Sequence, residues 1–216
     1  GMRPDAAVLV ATVRALKTHA GRYNVIPGKP LPPAMLEDNL DDVLAGAANL
    51  RKHIEIVREF GVSPVVALNV FPTDHPGEID AVRKVAEAAG AHFASSTHVV
   101  DGGDGAIDLA HAVVAACDHK ADFRYTYDLE DSLVEKLTKV ATKVYGADGI
   151  DIAPAAAKEL AHFEDLGYGT FPVVIAKTHL SLSHDPSLKG APTGWRLPVR
   201  EVRAAVGAGY IYAICG

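Results

Sequence analysis

The sequence predicts an α/β fold in which strands alternate with helices around a largely parallel sheet. Two observations carry this. Short runs rich in Val, Ile, Leu and Ala recur at 6–13, 64–71 and 171–178, and between them lie longer segments with apolar residues at helical spacing. Such alternation implies crossover units, because parallel neighbours need a long connection that a helix usually fills.

The first run, Ala6 to Val13, is continuous and partly β-branched, as expected of a strand covered on both faces. Arg14 to Asn24 is polar, and the prolines from Pro27 to Pro33 read as a loop. Leu36, Leu40, Val43, Leu44, Ala47, Leu50, Ile54 and Val57 mark a helix over 35–60, stopped by Gly61. The run 64–71 is a second buried strand. Thr73 or Asp74 is placed to cap the next helix, which ends at Gly90. A weaker strand at 92–99 leads to the turn Asp101-Gly-Gly-Asp-Gly105 and a helix to about His119. After polar residues 120–131 come a helix over 132–145, a short strand at 149–152 and a helix opened by Pro154. A buried strand at 171–178 follows, then a polar loop from His179 to Arg196 and a final segment ending in a strand. The polar stretch divides the chain into two α/β regions, 1–125 and 126–216.

Composition narrows the function. The chain has 216 residues, 49% apolar and 22% charged, with a formal charge of −6. That balance argues against nucleic acid or an anionic membrane as partner, since either calls for clustered Lys and Arg. No apolar run reaches the ~20 residues that span a bilayer. Cys117 and Cys215 form no metal or redox motif and read as fillers of small apolar spaces in a cytoplasmic protein. Apolar strands close to both ends suggest a fragment of a longer polypeptide.

Ligands of parallel sheets gather at the carboxyl ends of the strands. Three loops there attract interest. In Asn69-Val-Phe-Pro-Thr-Asp74, Asn69 and Asp74 could read the polar edge of a ring, and Phe71 beside Pro72 could stack on it, with Thr73 between. The plain alternative is that Asn69 ties the turn, Asp74 caps a helix and Phe71 is core. In the second loop, Gly102 and Gly103 could admit an anion to helix amides, although Asp101 and Asp104 would repel one. In the third, Lys177 at a strand end could meet an anion. Ser181, Ser183, His184 and Asp185 follow, but neighbours in sequence do not make a triad, and no metal-ligand spacing appears. Neither Gly-x-x-x-x-Gly-Lys-Ser/Thr nor Gly-x-Gly-x-x-Gly occurs.

Several stretches, in order along the chain, resemble the formate–tetrahydrofolate ligase family. They include Arg3 to Lys17, Asn49 to Glu55, Val65 to Asp74, Tyr145 to Gly149, Ala176 to Thr178, Ser181 to Ser183, Pro192 to Trp195 and Val199 to Arg203. The resemblance implies a segment of a nucleotide-using ligase whose phosphate-binding loop lies in the N-terminal portion of the family's longer chain. It implies ATP, Mg2+ and a monovalent cation for the full-length parent, with formate and tetrahydrofolate as substrates and a cytoplasmic homo-oligomer as the form. Formate attacks the terminal phosphate of ATP, and the folate amine then attacks formyl phosphate. Catalytic residues would lie outside this segment, which would supply the base and pterin side of the cleft through Asn69, Phe71, Pro72, Thr73, Asp74, Val99, Gly102, Gly103 and Lys177. A second family aromatic, a tryptophan, matches Val99, and a family lysine matches Asp101. Arg14 to Gly21 also departs from the family's usual Met-His-Gly-Gly ending. These departures leave a second function class open, a non-catalytic nucleotide- or pterin-binding module on the same scaffold. Because the chain has no phosphate-gripping loop, it is expected to show no formate-dependent ATP hydrolysis on its own. An assay with Mg2+ and K+ against a no-protein control checks this, and turnover above that control would overturn it.

Overall fold

A computed structural model describes residues 3–26 and 28–216, so Gly1 and Met2, and Pro27 of the expected loop, lie outside it. The chain divides into two compact units, Gly1–Arg124 and Tyr125–Gly216.

The first unit holds a three-stranded parallel sheet ordered β1-β2-β3: β1 (Ala6–Ala11), β2 (Ser63–Asn69) and β3 (His92–Ser96). Helices α1 (Val13–His19), α2 (Leu40–Glu59) and α3 (Pro76–Ala88) connect the strands, with a 3₁₀ turn at Pro33–Leu36. The short α4 (His98–Asp101) and then α5 (Ile107–Cys117) follow β3. On α2, Val43, Ala47, Leu50 and Ile54 recur at intervals of three and four and meet Val66 and Leu68 of β2. Leu16 of α1 and Val82, Val85 and Ala86 of α3 complete that core.

Five expectations need correction here. β1 is not covered on both faces: Val8 and Val10 are exposed, Val10 to 67%. β1 is an edge strand in this unit, and α5 packs mainly on β3 and β2. The polar stretch after β1 contains a helix, α1, capped by Thr12, whose Oγ1 accepts from the Ala15 amide at 3.0 Å. Neither Thr73 nor Asp74 caps α3. His75 holds the cap position without a side-chain bond and Pro76 opens the helix, while Asp74 accepts from the Phe71 amide instead. The third strand ends at Ser96, and Val99 lies in α4. Cys117 is exposed rather than buried, because few residues of α5 face the sheet.

The second unit begins with α6 (Leu133–Lys139), where Ser132 and Glu135 form a reciprocal capping box. The helix continues as a wider π turn, Val140–Val144. Next come β4 (Ile150–Ile152), α7 (Pro154–Asp165), β5 (Val173–Ala176), β6 (Leu197–Ala205) and β7 (Tyr210–Cys215). The sheet order is β4-β6-β7-β5. β4 runs parallel to β6 and β5 to β7, while β6 and β7 form an antiparallel hairpin turned by Gly209 at φ +72°. β5, expected to be buried, is an edge strand with Val174 and Ala176 exposed. Every second residue of β7, namely Ile211, Ala213 and Cys215, enters the core with Leu197, Val199 and Leu160.

The crossing of α1 and α2 is close. A Cβ on Gly46 would stand 1.7 Å from the Leu16 carbonyl oxygen, so only glycine permits it. Gly46→Ala must push the helices apart, and we expect a loss of at least about 2 kcal/mol in denaturant unfolding. An unchanged midpoint would show that the helices separate freely.

Candidate functional site

In the first unit the three strands deliver their carboxyl ends side by side. Val70 N donates to Ser96 O at 3.0 Å, fastening the β2 exit to the end of β3. The turn that follows is closed twice: Phe71 N donates to Asp74 Oδ2 and Asp74 N to Phe71 O, both at 2.9 Å. Asp74 is spent on holding the turn. Phe71 is half-buried, whereas Pro72 and Thr73 are exposed. At the β1 exit, Arg14 lays its guanidinium over the Phe71 ring, Cζ 3.9 Å from the centroid, and donates through Nη2 to Thr73 Oγ1 at 2.8 Å. Arg14 was not among the residues that sequence reasoning selected. The strand-exit rule applied to β1 as well as β2 would have found it, three positions beyond the strand Ala6–Ala11.

At the β3 exit, Thr97 N donates to Gly105 O at 3.0 Å and Gly102 N to His98 O at 3.0 Å. Gly105 is required by space, because a Cβ there would stand 2.6 Å from Thr97 Oγ1. Gly102 is required by its backbone, at φ +60°. Val99 is 78% exposed, and Asp101, Gly102, Gly103 and Asp104 are exposed too. The structure thus gathers Asn69 to Asp74 with Arg14 and sets Val99, Gly102 and Gly103 on the neighbouring strand's exit loop.

Lys177 belongs to the second unit, just beyond β5. Its ammonium donates to Thr178 O at 3.0 Å and to Ser181 O, and it stands 4.7 Å from the centre of the Tyr145 ring. It is held by neutral oxygens and an aromatic face rather than left open for an anion. Burial lowers its pKa below the ordinary lysine value. Burial also raises the Tyr145 hydroxyl and pushes the Cys215 thiol up to about 11. The serines of the loop serve the backbone: Ser181 Oγ donates to Leu188 O at 2.5 Å and Ser183 Oγ to Asp185 O at 3.0 Å. His184 packs its ring against Trp195, so the Ser, His and Asp neighbours form no catalytic relay. Among the described residues no three His, Cys, Asp or Glu side chains gather to hold a metal ion, and no helix is long and apolar enough to cross a membrane.

Comparison with known proteins decides the family. A family model described as formate–tetrahydrofolate ligase matches residues 1–216. The chain belongs to the formate–tetrahydrofolate ligase family. It is 98% identical over all 216 residues to a formate–tetrahydrofolate ligase of Cutibacterium acnes and 63% identical to one of Saccharopolyspora erythraea, in each case covering 38% of that protein's length. It is 52% identical to formate–tetrahydrofolate ligase 3 of Rubrobacter xylanophilus and covers 39% of it. The chain therefore spans about two-fifths of the length of these ligases. Within the family frame, the turn 71–74 and the loop 97–105 are the parts of this segment whose side chains and glycines stand at strand exits.

The two thiols should behave differently. Exposed Cys117 is expected to react with a neutral disulfide reagent at pH 8 while buried Cys215 stays unmodified. The folded Cys215 pKa lies above its ordinary value of 9.0, so the folded state keeps a proton that the unfolded chain releases. Its contribution is full below about pH 9 and is lost as pH rises from there toward 11. A Cys215→Ala variant should show a smaller stability loss over that window in pH-dependent unfolding, and equal losses would remove Cys215 as a cause.

Proposed function

We propose that this chain is the base- and pterin-binding segment of an ATP-dependent ligase that joins formate to tetrahydrofolate, giving 10-formyltetrahydrofolate through formyl phosphate. One observation carries the reading most directly. The turn that the family resemblance assigns to ring stacking, Phe71 to Asp74, is closed by two hydrogen bonds at a strand exit and leaves Phe71 half-exposed. Asn69, Phe71, Pro72 and Thr73 would meet the ring, Asp74 would hold the turn, and Val99, Gly102 and Gly103 would border it from the next strand. In the second unit, Lys177 would shape the loop that follows β5. The same reading takes 1–125 and 126–216 as two domains, and the parent as a cytoplasmic homo-oligomer with small-molecule substrates and no nucleic-acid partner.

ATP phosphates and Mg2+ do not fit this segment. It has no phosphate-gripping loop in sequence, and its described residues offer no gathered set of carboxylates. Both, with the monovalent cation, are assigned to the full-length enzyme. Phosphoryl transfer relies chiefly on such placed cations and amides. What this segment would contribute is the orientation of the folate amine toward the acyl carbon.

A second reading, a non-catalytic nucleotide- or pterin-binding module, is favoured by the β3 exit. The residue there that matches a family tryptophan is Val99, 78% exposed, and Asp101 stands where the family carries lysine. Calorimetric titration of a full-length protein carrying this segment with tetrahydrofolate, alongside a formate- and ATP-dependent turnover assay, separates the readings. Phe71→Ala should weaken binding by about 1 kcal/mol or more, roughly fivefold, and Val99→Trp should tighten it by a similar factor. Tight binding without turnover supports the module. Constants unmoved by either substitution would remove these loops from the ring site.

A further inference from the structure

The contact between Arg14 and Phe71 has a consequence for how a ligand ring is held, and it rests on the reading of Phe71 as a stacking surface. An aromatic side chain offers two faces. Here the guanidinium, with Cζ 3.9 Å from the ring centroid, already lies at contact distance on one of them. The guanidinium is itself fixed, because Nη2 donates to Thr73 Oγ1 at 2.8 Å within the turn that carries Phe71. Its Nε is buried without a hydrogen-bond partner, and among the described residues Arg14 joins no ion pair. A buried donor left unpaired is a cost that pure scaffolding does not require. Arg14 also stands in the first turn of α1, whose Thr12 cap and buried Leu16 and Lys17 set its direction. The planar head therefore sits on the ring through two anchors, the helix and Thr73.

We propose that Arg14 is a positioning residue of the ring-binding site, which closes one face of Phe71, fixes the plane of its ring, and leaves a single face for a flat heterocyclic ligand. Lysine in its place would keep the charge but lose the planar fork that both stacks and donates to Thr73.

The test is a double-mutant cycle in a full-length protein carrying this segment, with tetrahydrofolate as the probe, read by calorimetric titration and by KM and kcat. Arg14→Met keeps an unbranched stem and removes the cation. We expect its dissociation constant and KM to rise about three- to fivefold, with kcat changed less than twofold. In a Phe71→Ala background, the same substitution should have no further effect, because its route to the ligand is gone. A role in folding alone would lower kcat through a smaller active fraction and leave the dissociation constant unchanged. Arg14→Lys should give a rise of about twofold and decides the matter where the Met variant does not fold. The inference is overturned if Phe71→Ala weakens binding while Arg14→Met and Arg14→Lys do not, or if the effects of the two sites simply multiply. If Phe71→Ala itself leaves binding unchanged, the stacking reading fails first, and that result is distinct from a failure at Arg14 alone.

Discussion

A lysine ammonium withdrawn from water must place its donors on oxygen, and this requirement fixes the loops of both units. In the first unit Lys17, 1% exposed, meets Glu78 Oε1 at 2.5 Å, the Glu37 carbonyl at 2.6 Å and the Met35 carbonyl at 3.1 Å. All three of its donors are used. Glu78 Oε1 also accepts from Asn39 N at 2.8 Å, at the head of α2. One ion pair thus joins α1, the start of α2, the start of α3 and the proline-rich connection between the first two. Removing one partner of such a pair leaves an uncompensated buried charge and costs about 3–5 kcal/mol. Arg14 lies three positions before Lys17 and Thr73 five before Glu78, so the pair also sets the distance between them.

The second unit uses the same device without a carboxylate. Lys136 on α6 is fully buried and donates to the carbonyls of Gly169 at 2.5 Å and Phe171 at 3.1 Å, tying the approach to β5. Burial lowers its pKa, with Asp131, Glu130 and Glu164 acting in the other direction. Lys177 does the same for the loop after β5, with the Tyr145 ring in place of a third oxygen. The Lys177 side chain then shapes a loop in which two serines are buried on their own backbone partners. Three connections of very different sequence are set by one chemical demand.

That demand explains what could be read in the sequence. The apolar period of α2 and the alternation of strands and helices were legible, since each is written in consecutive residues. So was the turn Phe71 to Asp74, whose composition already marks it as a strand exit. The helix α1 was not legible, because Arg14, Lys17 and His19 make it look like solvated loop, and only the burial of Lys17 reveals its inner face. The antiparallel hairpin β6–β7 carried a signal that went unused: Gly207 and Gly209 around Ala208 suit a tight reversal, which an expectation of crossovers hid. The exposure of Val8 and Val10 depends on which elements cover a face of the sheet, and an apolar run does not contain that information.

The two exit loops of the first unit differ in how firmly they are tied to the rest of the unit. The 71–74 turn is cross-linked to its surroundings at three points: internally through Asp74, to β3 through Val70, and to α1 through Arg14 and Thr73. The loop after β3 is tied mainly to itself, through Thr97 with Gly105 and His98 with Gly102. Ordering a loop on binding costs conformational entropy, so a surface already ordered yields more net affinity for the same contact area. A ring ligand stacked on Phe71 as proposed would therefore gain more than the contact area suggests. A larger side chain at Val99 would add contact from α4, whose backbone bonds stay within the loop 97–105. The aromatic Phe71 stands on the turn bonded to both β3 and α1, and Val99 stands on the loop whose backbone bonds are mainly its own.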